Sequence, residues 1–367
     1  MSRSIFLILS TNAIGGAEKR FAGLWQSINQ EPRLVNIFLV CSSMLLCDLK
    51  KQENLGVLFE SGSKVIEHDF SGGFKQFRKA THAFIHRYGR KGDVLHFIGD
   101  HPLAVFPDYK VIFSITQSSF KNLNLYGRLG QFGGVLFSNL IDILDPTIYQ
   151  YLKSVFFWKQ RRISLTSNSY CNTTLFSSVP YEEKKDWFVF LGRFEKMKQV
   201  ATLLNAIPSL YQTLQEGATN DLHFYFLGHG SLEGELRQML LETRFRQVPV
   251  TIEYLSQPHE VLKQSKYFFS LQLHNNYPSK SLLEAMASGN IPIVTDVGQT
   301  RWLAKPEFSY YVPESFTEED LCKTVTEVFE QEQSVLASKA AMASAFVAKE
   351  HTIEKMRDYY LNLYRRV

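Results

Sequence analysis

Residues 187–198 read Trp187-Phe188-Val189-Phe190-Leu191-Gly192-Arg193-Phe194-Glu195-Lys196-Met197-Lys198. A later stretch, Tyr277-Pro278-Ser279-Lys280-Ser281-Leu282-Leu283-Glu284-Ala285-Met286-Ala287-Ser288-Gly289, runs into Ile291-Pro292-Ile293-Val294-Thr295. The unbroken apolar runs read as strands covered on both faces, the pattern of parallel sheets. The first stretch sets two cations, Arg193 and Lys198, just beyond a strand end. The second sets a helix N-terminus, with its unpaired backbone N–H groups, at another. Cations and helix N-termini bind phosphate. Glu284 falls about one and a half turns into that helix, where a carboxylate can take the two hydroxyls of a ribose.

Working outward, the same rhythm fills the chain. Strand-like runs are Ile5–Leu9, Val35–Val40, Val94–Ile98, Val111–Ile115, Val135–Phe137 and Ile163–Thr166, then Phe188–Leu191, Leu222–Leu227, Val250–Tyr254, Tyr267–Leu271 and Ile291–Thr295. Amphipathic segments lie between them, as in Phe21, Leu24, Trp25 and Ile28 at helical spacing. This alternation implies an α/β fold with parallel sheets wound by helices. The rhythm breaks at a polar, proline-containing stretch. The expected organisation is therefore a Rossmann-like domain over 1–175, a linker over 176–186 and a second Rossmann-like domain over 187–345. Residues 346–367 form a closing helix that packs back on the first domain.

The 367 residues suit two domains, and 45% apolar with 21% charged residues is ordinary for a soluble globular protein. The net charge of +4 suits an anionic substrate or membrane surface and does not call for nucleic acid. Cys41, Cys47, Cys171 and Cys322 are scattered without metal-ligand spacing and read as reduced thiols of a cytoplasmic protein. No run approaches the roughly 18 apolar residues of a membrane span, and Ile5–Leu9 is too short for a signal core.

Two further loops follow strands. Gly15 and Gly16, in Asn12-Ala13-Ile14-Gly15-Gly16-Ala17-Glu18, let a ligand approach the backbone at a helix start, or make a plain tight turn. Gly228 and Gly230, in Leu227-Gly228-His229-Gly230, would shape the floor beside Gly192 and Arg193, with His229 a surface residue. Arg193 can fork to two phosphate oxygens and Lys198 adds a point charge; solvated loop cations are the plainer reading. Ser279 or Ser281 can cap the helix that carries Glu284.

Taken together these residues resemble the GT-B glycosyltransferases, in particular retaining glycosyltransferase family 4 (glycosyl transferases group 1). The resemblance rests on Gly15-Gly16-Ala17-Glu18, on Gly192-Arg193 followed by Lys198, on Gly228 and Gly230, and on Glu284 as the second Glu of a Glu-x7-Glu signature. It implies two Rossmann-like domains with parallel sheets facing across a cleft. It implies a sugar transferred from a nucleotide-diphosphate sugar, most often a UDP- or GDP-sugar, to a hydroxyl of a glycan or lipid-linked glycan. By the resemblance Arg193 and Lys198 hold the diphosphate, Glu284 holds the ribose, and the backbone around Ser279, Lys280, Ser281 and Leu282 faces the pyrophosphate. The Gly15-Gly16 loop closes over the donor. The Arg, the Lys and the helix dipole neutralise the leaving group, so neither a metal nor another cofactor is expected.

Two departures qualify it. The first Glu of the signature falls at Asn276, which can hydrogen-bond a sugar but carries no charge. No His follows the strand Val111–Ile115, leaving Thr116 and Gln117 there and His96 as a neighbour in sequence. These three are the acceptor-side candidates. Basic-aromatic runs at 72–91 and 156–162 suit an anionic membrane surface, or else are ordinary helices with solvated charges. The alternative reading is a nucleotide-sugar-binding subunit whose catalysis is weak or lost.

Overall fold

A computed structural model describes residues 3–31, 35–51, 64–116, 125–166, 169–218, 221–275 and 277–367. The chain divides into two compact units, residues 1–169 with 353–367, and residues 170–352.

In the first unit the elements run β1 (Ser4–Leu9), α1 (Gly16–Asn29), β2 (Asn36–Cys41), α2 (Ser43–Lys50), β3 (Val65–Glu67), α3 (Phe74–Tyr88), β4 (Val94–Ile98), β5 (Lys110–Ile115), α4 (Leu125–Phe137), β6 (Leu140–Ile143), α5 (Pro146–Val155), a 3₁₀ turn (Phe157–Arg162) and β7 (Ile163–Leu165). A closing helix, Ile353–Arg365, completes it. The seven strands pair in parallel in the order β3-β2-β1-β4-β5-β6-β7. A core of Phe6, Phe77, Phe84, Phe97, Phe113 and their neighbours fills one face.

The other face carries a buried polar network that ties the closing helix to the sheet. Tyr359 and Tyr360 donate to the two oxygens of Asp142 at 2.6 and 2.7 Å, and Ser114 Oγ donates to Asp142 at 2.8 Å. Arg20 Nη2 donates to the Tyr360 hydroxyl at 3.1 Å. His96 spans Ser114 Oγ at 2.8 Å and the Tyr364 hydroxyl at 3.0 Å. Buried polar groups must be paired in this way, because each unpaired one costs its full desolvation.

In the second unit the order is β8 (Lys185–Leu191), α6 (Val200–Leu214), β9 (His223–Leu227), α7 (Glu233–Met239), β10 (Val250–Glu253), α8 (His259–Gln264), β11 (Ser265–Ser270), α9 (Lys280–Ala287), β12 (Ile291–Thr295), α10 (Thr300–Leu303), β13 (Tyr310–Val312), α11 (Glu318–Phe329) and α12 (Gln333–Glu350). Its six parallel strands follow β10-β9-β8-β11-β12-β13. Numbered from β8, that is the Rossmann order 3-2-1-4-5-6, whose reversal point lies between β8 and β11. Stacked rings of Phe188, Phe224, Tyr267 and Phe269 fill the space under α6 and α11.

Three sequence expectations are corrected here. Val135–Phe137 is not a strand but the end of α4, and the strand lies at Leu140–Ile143. Four glycines disguise that helix. A Cβ on Gly134 would lie 2.4 Å from the Phe113 ring and one on Gly130 2.8 Å from Phe74, so the glycines buy close packing rather than a turn. Residues 176–186 are not a linker but part of the second unit. Phe176 and Tyr181 are buried, and the fully buried Lys184 ammonium donates to the carbonyls of Lys263, Ser265 and Ser288 at 2.8, 3.1 and 2.8 Å. Polar letters there conceal anchors. Residues 346–350 belong to α12, and the final helix begins at Ile353.

Candidate functional site

The C-terminal ends of β8, β9, β11 and β12 gather one set of loops in the second unit. Gly192 follows β8 and donates its N–H to the Leu227 carbonyl at 3.0 Å. Gly228 sits at φ +152°, where a Cβ would lie 1.9 Å from the Gly192 carbonyl oxygen. A Cβ on Gly230 would lie 2.6 Å from the Phe194 carbonyl oxygen. The β9 loop therefore packs directly on the backbone that carries Arg193, and the link is tightened by Phe194 N–H to the His229 carbonyl at 2.9 Å. Gly228→Ala is expected to displace this backbone. Circular dichroism melts should show a loss of at least about 1–3 kcal/mol, and nucleotide affinity should fall with it.

Arg193 is largely exposed, at 69%, and pairs with Glu195 at 2.9 Å. Lys198 ends a 3₁₀ turn, and Gln199 behind it takes φ +49° to start α6. The Lys198 ammonium donates to Gln272 Oε1 at 2.9 Å. Its burial, and then the Arg193 charge nearby, push its pKa down to about 8. Two cations close enough to disfavour each other, one of them buried, form a site that an anion would relieve. Gln272 is held by Thr295, whose hydroxyl accepts the Gln272 N–H at 2.7 Å and donates to its carbonyl at 3.0 Å.

Helix α9 starts alongside. Ser279 occupies its N-cap position without a side-chain capping bond, and Ser279 Oγ lies 3.5 Å from Ser281 Oγ. No side-chain oxygen at the cap takes up the first N–H groups, which include those of Lys280, Ser281 and Leu282. Leu282 is buried in the core, fixing the helix by its apolar face. Glu284 is mostly buried and has the Lys280 ammonium 3.8 Å away, with that ammonium over the Tyr170 ring. The charges of Glu284 and Lys280 both reach the buried Cys171 thiol.

Of the residues singled out in sequence, Gly192, Arg193, Lys198, Gly228, Gly230, Ser279, Lys280, Ser281, Leu282 and Glu284 thus lie on strand-end loops and one helix start of a single sheet. Gln272, Thr295, Glu195 and Tyr170 were not read beforehand. A polar Gln directly after the apolar β11 was the one available signal. Asn276 and Gln117 lie outside the described residues.

In the first unit Gly15 precedes α1 in extended backbone that any residue adopts, and Gly16 faces open space. Glu18 and Asp100 stand at the same strand ends, and burial raises both carboxyl pKa values. Thr116 follows β5, with its hydroxyl beside Gly99. His96 is corrected. It is a fully buried core residue, bonded at both nitrogens and pushed down to about 3 by burial, so it is not an acceptor contact. His101 is likewise buried among Phe97 and Phe113.

The comparisons with known proteins bear on the second unit first. Residues 172–344 match the family of glycosyl transferases group 1. The match begins at Asn172 and runs into α12, taking in the second-unit loops described above. A solved glycosyltransferase from Rickettsia africae is 12% identical with a TM-score of 0.76, over 100% of this chain and 98% of that one. Anabaena HepE, solved with UDP and glucose, is 11% identical with a TM-score of 0.73 over the whole of both chains. TarM of S. aureus, solved with UDP and α-GlcNAc-glycerol, is 12% identical with a TM-score of 0.71 over 99% and 100%. At such identities the likeness shows the fold, which is the GT-B fold of two Rossmann-like domains. No curated protein matches the sequence.

Proposed function

We propose that the protein transfers a sugar, of the hexose kind, from a nucleotide-diphosphate sugar to a hydroxyl of a glycan or lipid-linked glycan, as a retaining family 4 enzyme of cell-surface polysaccharide synthesis. The observation that carries the proposal is the pairing of Arg193 with a pKa-depressed Lys198 at the reversal point of the second sheet, beside the α9 N-terminus and Glu284. A diphosphate supplies the negative charge those groups disfavour being without, and a ribose supplies hydroxyls to the mostly buried carboxylate. UDP-sugars are the first candidates, because UDP is the ligand in the HepE and TarM structures.

In the proposed reaction the bond from the sugar's anomeric carbon to the diphosphate oxygen breaks. The acceptor hydroxyl oxygen bonds that carbon on the same face, and its proton passes to the leaving phosphate oxygen. Arg193, Lys198 and the helix N-terminus stabilise the charge that grows there, so no metal or cofactor is assigned. Among the described residues no helix is long and apolar enough to cross a membrane. The proposal sets the work in the cytoplasm, with the acceptor met at an anionic membrane face.

Asn276 favours a second reading, a nucleotide-sugar-binding subunit with little turnover, since the family signature resembled here carries a charged Glu at that place. A thermal-shift and sugar-release screen against UDP-, GDP-, ADP- and CMP-sugars separates the two. The expected result is stabilisation by one donor and slow release of its sugar, unchanged by EDTA and lost in Glu284→Ala. Stabilisation without release, with acceptors present, would select the binding subunit. An EDTA-sensitive release would refute metal independence.

A further inference from the structure

The two basic-aromatic runs separate in the structure. In α3, Phe77 and Phe84 are buried in the core and Phe74 packs against Gly130, so its aromatic face is already used. The 3₁₀ turn behaves oppositely. Phe157 is 66% and Trp158 60% exposed, next to the exposed Tyr151 and Val155 of α5 and Leu136 of α4. Lys159 locks this surface together by donating to the carbonyls of Val135, Leu136 and Ser138 at 3.0, 2.6 and 3.3 Å, which caps the end of α4.

The surface charge of this stretch of the chain has one sign. Between Tyr109 and Ser169 the chain has seven lysines and arginines and only two carboxylates, Asp142 and Asp145. Both carboxylates are buried. Arg161 and Arg162 are exposed beside the rings. Arg366 is drawn in by bonds to Ser164 Oγ at 2.8 Å and the Arg161 carbonyl at 2.9 Å. Exposed aromatics ringed by cations, with no surface carboxylate in the segment, match an anionic lipid interface, where ring faces enter the headgroup layer and cations meet lipid phosphate.

We propose that Phe157, Trp158, Arg161 and Arg162 form the contact by which the first unit docks on an anionic lipid surface. The turn leads into the N-terminal end of β7, the edge strand of the sheet. The Gly15-Gly16 loop follows the C-terminal end of β1, at the opposite end of the same parallel sheet. Docking therefore leaves that loop uncovered. The inference deepens the membrane-facing part of the proposed function by naming the surface. It uses no donor chemistry, so vesicle binding and the donor screen fail independently.

The test is sedimentation of the purified full chain with vesicles of phosphatidylcholine alone or with phosphatidylglycerol added, without donor. Binding is expected only with phosphatidylglycerol and is expected to disappear at high salt. Arg161→Gln/Arg162→Gln should bind about 30-fold more weakly. Phe157→Ser/Trp158→Ser should bind at least about tenfold more weakly. Both should keep the wild-type melt. A blue shift of tryptophan emission on anionic vesicles, present in the wild type and absent in Trp158→Phe, is the readout if the double variants misfold. Absence of vesicle binding, equal binding to neutral vesicles, or undiminished binding of folded variants would overturn the proposal. So would a wild-type dimer that the Phe157/Trp158 variant turns into a monomer, because the patch would then meet a second copy.

Discussion

Asp142→Ala is expected to cost about 3–5 kcal/mol of stability in the first unit, the largest effect of any single substitution considered. Asp142 accepts hydrogen bonds from Ser114, Tyr359 and Tyr360, and the Arg20 charge partly offsets the burial that raises its pKa. Alanine leaves three hydroxyls without their acceptor and removes the carboxylate whose charge faces the buried Arg20. Two of those hydroxyls sit on the closing helix, so its attachment should weaken with the network. Tyr359→Phe, which removes one bond, should cost about 1 kcal/mol. Urea unfolding followed by circular dichroism measures both. A cost below about 1 kcal/mol for Asp142→Ala would mean the network is ornamental and that apolar contacts of Met356, Tyr360 and Leu363 hold the helix.

Arg193→Ala and Lys198→Ala are each expected to lower donor turnover by about 10²–10³-fold. The two should differ in stability. Arg193 is 69% exposed and, among the described residues, pairs with Glu195 alone, so its loss should leave the melt unchanged within the worth of a surface pair. Lys198 is bonded to the buried Gln272, so its loss leaves that amide oxygen short of a donor and should lower the melt slightly. Lys198 also sets a pH dependence. Its pKa in the free protein is pushed down to about 8, and a diphosphate bound beside it, as proposed, would raise it again. Binding therefore takes up a proton above pH 8, and affinity should fall by up to tenfold per pH unit from there to the pKa of the complex. Below pH 8 the ammonium is already charged, and this group adds no slope. Calorimetric titration of the nucleoside diphosphate at pH 7, 8 and 9 reads the slope. A flat profile in the wild type, or the same slope in Lys198→Met, would remove Lys198 from the phosphate site.

The second unit was largely legible in sequence because its loops are forced by covalent limits. Only glycine fits at 228, where φ is positive and the Gly192 carbonyl blocks a Cβ. Strands as apolar as Phe188–Leu191 have nowhere to go but a two-faced sheet. The first unit was less legible. Val135–Phe137 has the letters of a strand, and the glycines before it mask a helix whose reason is contact with Phe113 and Phe74, residues distant in the chain. His96 shows the same limit at a single residue. Its position after a predicted strand start suggested a site, while its function in the fold depends on Tyr364, 268 residues away.

From the letters alone came the α/β class, the doubling of the Rossmann pattern and the set of phosphate-suited groups from Gly192 to Glu284, since periodicity, glycine placement and charge are local properties. Tertiary structure alone decided which polar residues are buried and which aromatics are not. It turned Lys184 from a linker residue into a clamp on three carbonyls, made His96 core, and left Phe157 and Trp158 in solvent while taking Phe77 and Phe84 out of it. Burial is a sum over residues brought together from far along the chain, and the free energy of a charge or a ring depends on that sum rather than on its neighbours in sequence.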